Sequence, residues 1–194
     1  MENVYQADLI FDQELTPKAG KIPFGIHTNC KLTGVDKVDE HYDINFEDST
    51  GRTHHLRLFK PNGKYPKRDK ITNLEIETTE EAIAREERER MRHLVKLLHI
   101  FIGKENLSKI VAKSYDEFMS KAAAILNQKK EAKKLNLKLI YDSEGVYSEF
   151  GKIPDYVEEY VEGEEPKLEY TPWELNNRCK KKDATPSIDY GSLS

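Results

Sequence analysis

The chain has 194 residues, of which 34% are charged and 37% hydrophobic, enough for one domain with a real core and some solvated length besides. Its two cysteines are too few for a disulfide framework or a Cys-rich zinc site. No apolar run approaches membrane-spanning length and Met1–Tyr5 has no leader pattern, so a soluble, cytoplasmic protein with no membrane partner is expected.

The net charge of −4 conceals segregation. Residues 1–51 carry ten Asp/Glu against four Lys/Arg, whereas residues 52–74 carry seven Lys/Arg against Asp69 alone. Residues 104–134 are net basic and residues 135–175 strongly acidic. A polyanion binder needs a local basic surface rather than a basic total, and this distribution allows one.

Residues 1–24 read as an N-terminal arm or edge strand, weakly alternating at Ala7, Leu9 and Phe11 before Pro17, Gly20 and Pro23. From Ile26 the pattern becomes that of a half-buried strand: Ile26, Thr28, Cys30 and Leu32 alternate with polar neighbours. The parity changes at Gly34, which suits a bulge. Tyr42, Ile44 and Phe46 continue the alternation, Asp48-Ser49-Thr50-Gly51 supplies a turn, and His54, Leu56 and Leu58 return. This predicts a three-strand antiparallel meander.

With Leu56 and Leu58 inward, His55, Arg57 and Phe59 face outward together with Asn29, Lys31 and Asn45. Aromatic, cationic and amide groups on one sheet face are the composition that stacks bases and neutralises phosphates. The competing reading packs Phe59 under a loop or helix. Lys60-Pro61-Asn62-Gly63 is strong turn chemistry, and the loop beyond it adds Lys64 and Tyr65 to the candidate surface, though such loops are often mere solvated surface.

A helix is predicted from Thr78 to Gly103. Thr78 and Glu81 form a capping box, Ile83, Met91, Leu94, Leu98 and Phe101 form an apolar stripe, and Gly103 stops it. Arg85, Arg88, Arg90 and Arg92 have glutamates at helical spacing, which predicts a self-paired solvated face. Helical stretches follow at Leu107–Ala112 and, capped by Ser114, at Tyr115–Lys130. Leu135, Leu137, Leu139 and Tyr141 then restore strand period, with Asn136 and Lys138 on the other side. Asp142-Ser143-Glu144-Gly145 turns the chain into Val146–Phe150. Lys138, Tyr147, Phe150 and Lys152 are further candidates for the binding surface. Residues 157–169 are glutamate-rich, Trp173 anchors an extended segment, and the end from Arg178 reads as a flexible tail.

No phosphate loop, nucleophile elbow, HExxH or paired-Cys pattern is present, so the sequence predicts neither an enzyme nor a cofactor or metal. The order of elements predicts an α+β, mainly β fold: a five-stranded OB-fold-like barrel with an enlarged helical insertion, residues 78–130, between strands 3 and 4. The expected boundaries are residues 1–24 for the arm, 25–160 for the OB-like domain and 161–194 for the C-terminal segment and tail.

The run from Phe24 to Val35, then Tyr42–Asp48 with Gly51, then Arg57-Leu58-Phe59-Lys60-Pro61, resembles the single-stranded DNA-binding proteins of crAss-like and related tailed phages. Leu137–Tyr141 with Gly145, Tyr147 and Pro154 is similar to the second half of that family, so the resemblance spans roughly residues 20–160. It implies a non-catalytic protein of phage DNA replication or recombination, in host cytoplasm, that binds single-stranded DNA and works beside other replication or recombination proteins. By position it implies a surface of Asn29, Lys31, Asn45, Arg57, Phe59, Lys138, Tyr147 and Phe150. The chain departs from the acidic C-terminal tip common among such proteins, since its acidic block is internal. A protein-interaction module on the same fold and an RNA-binding role remain the alternatives.

Overall fold

A computed structural model of the chain describes residues 20–151 and 155–181. Three strands come first: β1 (Gly25–Val38), β2 (His41–Glu47) and β3 (Thr53–Phe59). Three helices follow, α1 (Thr79–Ile102), α2 (Lys104–Leu107) and α3 (Tyr115–Lys129). Then come β4 (Leu135–Tyr141), β5 (Ser148–Phe150), β6 (Val157–Glu159) and α4 (Pro172–Asn177). The strands form one six-stranded sheet in the order β3-β2-β1-β4-β5, with β6 also on β4, and every strand pair is antiparallel. β3 and β5 end the order without pairing to each other, so the sheet is open, and it has a sixth strand that the expected five-stranded barrel lacks.

The meander follows the alternation of its residues. Cys30, Leu32, Val35, Tyr42, Ile44, Phe46 and Leu58 are buried against Leu94, Leu97 and Leu98 of α1 and Met119, Ala122 and Leu126 of α3. Burial pushes the Cys30 thiol up to about 12, with Asp48 adding to the shift, so this cysteine is an inert core residue. The register of β1 on β2 slips between Leu32 and Gly34, the bulge that Gly34 foretells. A bulge leaves backbone groups unpaired, and the helical layer supplies their partners. The Asn127 side chain of α3 donates to the Val35 carbonyl at 2.9 Å and accepts from the Val35 N–H at 2.8 Å, while Lys130 Nζ donates to the Thr33 carbonyl at 2.7 Å.

The β2–β3 turn is built on the buried Asp48. Its carboxylate accepts the Thr50 and Arg52 N–H groups, the Thr50 hydroxyl and the Arg52 guanidinium, all within 3.0 Å. Burial alone would raise its pKa, but the bonds from Thr50 and Arg52 prevail and hold it at about 2. His54 and His93 go the other way from the usual imidazole value, down to about 4, because burial disfavours their charged forms. Two acid steps in stability are expected. Between pH 6.5 and about 4 the unfolded chain takes up protons that folded His54 and His93 refuse, so stability falls across that window. Between pH 3.8 and about 2 the stabilisation supplied by ionised Asp48 is lost in turn. Urea midpoints measured from pH 7 to 2 check this, and a midpoint that stays flat from pH 7 to 4 contradicts the histidine step.

Helix α1 carries the Thr78–Glu81 capping box and stops at Gly103, while Ser114 caps α3 by accepting the Glu117 N–H. The helix expected over Leu107–Ala112 is displaced. A single turn at Lys104–Leu107 forms instead, where the Asn106 side chain donates to the Ile102 carbonyl and closes off the end of α1.

The end of the chain is the larger difference. Residues 157–159 form β6 on Leu135–Leu137, and Thr171 and Glu174 cap α4 with Pro172 in its first turn. Residues 160–178 lie over β4. The Tyr141 N–H donates to the Arg178 carbonyl, Arg178 pairs with Glu149 at 3.0 Å, and Phe24 stacks between Tyr141 at 4.6 Å and Tyr170 at 5.6 Å. The segment expected to be extended and anchored at Trp173 is thus docked over β4 as far as Arg178, with a strand and a short helix in it. The expected arm lies outside the described residues up to position 19, and the expected tail does so from position 182.

Candidate nucleic-acid interface

The register of the meander decides which side chains share its outer face. Lys31 pairs with Glu47 and Glu47 with Thr53, Gly34 with Asn45 and Asn45 with His55. Asp36 pairs with Asp43 and Asp43 with Arg57, and Val38 with His41 and His41 with Phe59. Lys31, Asn45, His55, Arg57 and Phe59 thus stand on one face, as their parity predicts. Asn29 is exposed in a second bulge of β1, where its φ of 56° is the left-handed conformation that asparagine tolerates.

The face also carries Asp36, Asp43 and Glu47. Arg57 Nε and Nη2 donate to Asp43 at 3.0 and 3.3 Å. That bond, opposed by burial and aided by the charges of Arg57, His41 and His55, holds the Asp43 carboxyl below its ordinary value. The Asn45 amide donates to Asp36 at 2.8 Å, and Lys31 lies 3.7 Å from Glu47. Lys31, Asn45 and Arg57 thus each have an acidic neighbour, which leaves the face without excess positive charge.

Phe59 stays open. It is 56% exposed, the His41 ring lies 5.3 Å from it, and the Arg57 guanidinium carbon is 5.9 Å from its centre. This is an aromatic platform with a cation at its edge. Beyond it, β3 and α1 enclose a groove of about 600 Å³ lined by Leu56, Arg57, Phe59, Arg90 and Arg92, with Glu89, itself paired with Arg85, at its side. Arg90 donates to the Phe59 carbonyl and fixes the groove floor, while exposed Arg92 has no carboxylate partner among the described residues. Lys64 and Tyr65 lie on the following loop, Tyr65 72% exposed with the Lys64 ammonium 5.8 Å from its ring. Tyr147 is exposed on the β4–β5 connection.

Two candidates are corrected. Lys138 does point away from the core, as its parity requires, but that side of β4 is covered by residues 160–178. It is fully buried, its ammonium paired with Glu174 at 2.9 Å and donating to the Glu169 carbonyl at 2.9 Å. Phe150 packs inward instead, among Phe46, His54 and Tyr156 at ring distances of 5.2, 4.8 and 5.5 Å. Lys152 lies outside the described residues.

Sequence reading missed Asp43 as the partner of Arg57: a four-residue turn at Asp48–Gly51 would set Asp43 opposite Leu56, and Arg52, a fifth connecting residue, shifts the register to Arg57. It also assigned Arg90 and Arg92 wholly to a self-paired helix face. Arg90 does pair with Glu86 at 3.8 Å and Arg85 with Glu77 at 3.1 Å, but Arg92 faces the groove. Among the described residues no group of three or more His, Cys, Asp or Glu side chains could hold a metal, and no helix is long and apolar enough to cross a membrane. Compared with family models, curated proteins and solved structures, the chain matches none of them.

Proposed function

We propose that the protein binds single-stranded DNA without catalysis, on the outer face of β1–β3 and in the adjoining groove, as an accessory of phage DNA replication or recombination. On this reading the sheet is an OB-fold barrel left open between β3 and β5, with α1–α3 inserted between β3 and β4. The observation that carries the proposal is Phe59, a large aromatic left open on a β-strand between His41 and Arg57. A base gains by stacking on such a ring. Arg92 and Lys64, which have no carboxylate partner among the described residues, supply phosphate contacts beside it.

A second reading has its own support. The pairing of Lys31 with Glu47 and Arg57 with Asp43 leaves little excess positive charge, which suits a protein partner better than a polyanion. Fluorescence anisotropy with labelled oligo-dT, duplex DNA and RNA of equal length, over a salt series, separates the two. Oligo-dT is expected to bind best at low salt and to weaken steeply as salt rises, because each neutralised phosphate releases counterions. Absence of binding at low salt, or an affinity indifferent to salt, favours the protein-interaction reading, and equal or tighter RNA binding redirects the assignment to RNA.

A further inference from the structure

Between β3 and α1 the chain makes a small hairpin whose backbone is tied at both ends. The Asp69 N–H donates to the Leu74 carbonyl at 2.8 Å and the Ile76 N–H to the Lys67 carbonyl at 3.0 Å. Arg68 and Glu75 pair across it at 2.6 Å. At the tip the Asp69 carboxylate accepts the Ile71 and Thr72 N–H groups, and at the root Glu77 accepts the Lys67 N–H and pairs with Arg85 of α1. This bonded loop holds Ile71, Leu74 and Ile76 in solvent, at 93%, 67% and 64% exposure. No described residue covers them, and preformed apolar groups of this kind mark a docking surface. Lys64 and Lys70 beside it have no carboxylate partner among the described residues.

The same molecule carries an acidic surface that the unpaired Lys64 and Lys70 could meet. The connection after β6 forms a groove of about 280 Å³ lined by Asn136, Val161, four glutamates (158, 159, 164 and 165) and Lys167. Lys167 pairs with Glu164 at 3.4 Å and Lys133 with Glu159 at 2.7 Å, so the groove keeps an acidic excess. Val161 offers an exposed apolar floor, and Glu162 and Glu165 have no cationic partner among the described residues. The groove adjoins a cleft lined by Lys96, while the hairpin leads directly into Thr79. At 1.5 Å per residue those two points on α1 are about 25 Å apart, and the hairpin root is fixed to α1, so the two surfaces do not meet within one molecule.

We propose that a second copy of this chain is the occupant: the Lys67–Glu77 hairpin of one copy docks into the acidic groove at Glu158–Glu165 of the next. The argument for self-association is complementarity, since one side sets aliphatic groups beside the unpaired Lys64 and Lys70, and the other sets Val161 beside Glu165 in the groove and Glu162 next to it, neither with a cationic partner among the described residues. Joining two different surfaces, the contact is head-to-tail and builds an open row of subunits unless the rotation closes a ring. Its small size makes it weak and its rim charges make it salt-sensitive. The inference is independent of whether the sheet face binds nucleic acid.

Sedimentation velocity on the full chain across the micromolar range tests it. The mean mass should rise with concentration at low salt and return to that of the monomer at high salt. Ile71→Asp should weaken association at least about tenfold. Lys70→Glu and Glu165→Lys should each weaken it too, and an equimolar mixture of those two variants should restore it, because every junction in the mixture can then join opposite charges. All three side chains are exposed, so the variants should unfold at the native urea midpoint. A monomer at every low-salt concentration overturns the proposal. So does association that survives Ile71→Asp and both reversals, or a mixture no better than either variant alone.

Discussion

Replacing Lys138 by methionine is expected to destabilise the protein by about 3–5 kcal/mol, because removing one partner of a buried ion pair strands the other. Lys138 and Glu174 are both fully buried, and the lysine ammonium also donates to the Glu169 carbonyl. Without it the Glu174 carboxylate keeps a bond from the Thr171 N–H but has lost its counter-charge. For a chain of this length the melting temperature should fall on the order of 10 °C. Glu174→Gln should cost less than Glu174→Ala, since the amide oxygen can still cap Thr171. Combining Lys138→Met with Glu174→Leu should recover much of the loss, because a matched apolar pair strands no charge. Thermal and urea unfolding of the four variants checks the set. Single variants as stable as the native protein would mean that the C-terminal segment is not clasped to β4.

On β3, at one edge of the sheet, Phe59→Ala should weaken oligo-dT binding by about 1–3 kcal/mol, the usual range for one base–aromatic contact, and leave the salt slope nearly unchanged. Its exposed ring contributes little to the core, so unfolding should barely change. Arg57→Ala should reduce the slope by about one phosphate's worth. Asp43→Asn makes a sharper demand. It releases Arg57 from its carboxylate and should both tighten binding at low salt and steepen the slope. If Phe59→Ala leaves affinity intact and Asp43→Asn changes nothing, the face is not where nucleic acid binds. Anisotropy titrations at three or more salt concentrations read all of these outcomes.

How far these elements were legible depended on where their partners lie in the chain. Leu56 and Leu58 set the parity of β3 by themselves, Gly34 marks the bulge of β1, and Thr78 with Glu81 and Ser114 with Glu117 announce two helix starts. All of these are local signals. Lys138 is the contrary case. Alternation says which way it points but not whether that side is wet, and its cover comes from Glu169 and Glu174, more than thirty residues later. The glutamates around Val157 hid β6, since only pairing with Leu137 shows that Val157 is buried. Thr171-Pro172-Trp173-Glu174, by contrast, is a helix start legible in the sequence, a capping box with proline in the first turn, where the extended reading of this segment fails. For the candidate site, the outward set of β3 followed from parity, whereas its lack of excess positive charge required the register with β2.

The clasp between β4 and α4 bears on how the protein is made. Lys138 and Glu174 are separated by 36 residues, and β4 lies at the centre of the sheet between β1 on one side and β5 and β6 on the other. During synthesis, β1–β3 and the helices leave the ribosome well before the strap that covers β4. Until Glu174 emerges, Lys138 must keep its ammonium in water, so the nascent chain holds that face of the sheet unsealed. Productive folding is therefore tied to the arrival of the last described helix. A ribosome stalled before residue 174 would display a partly assembled sheet with an open apolar flank, the species on which chaperones and aggregation compete.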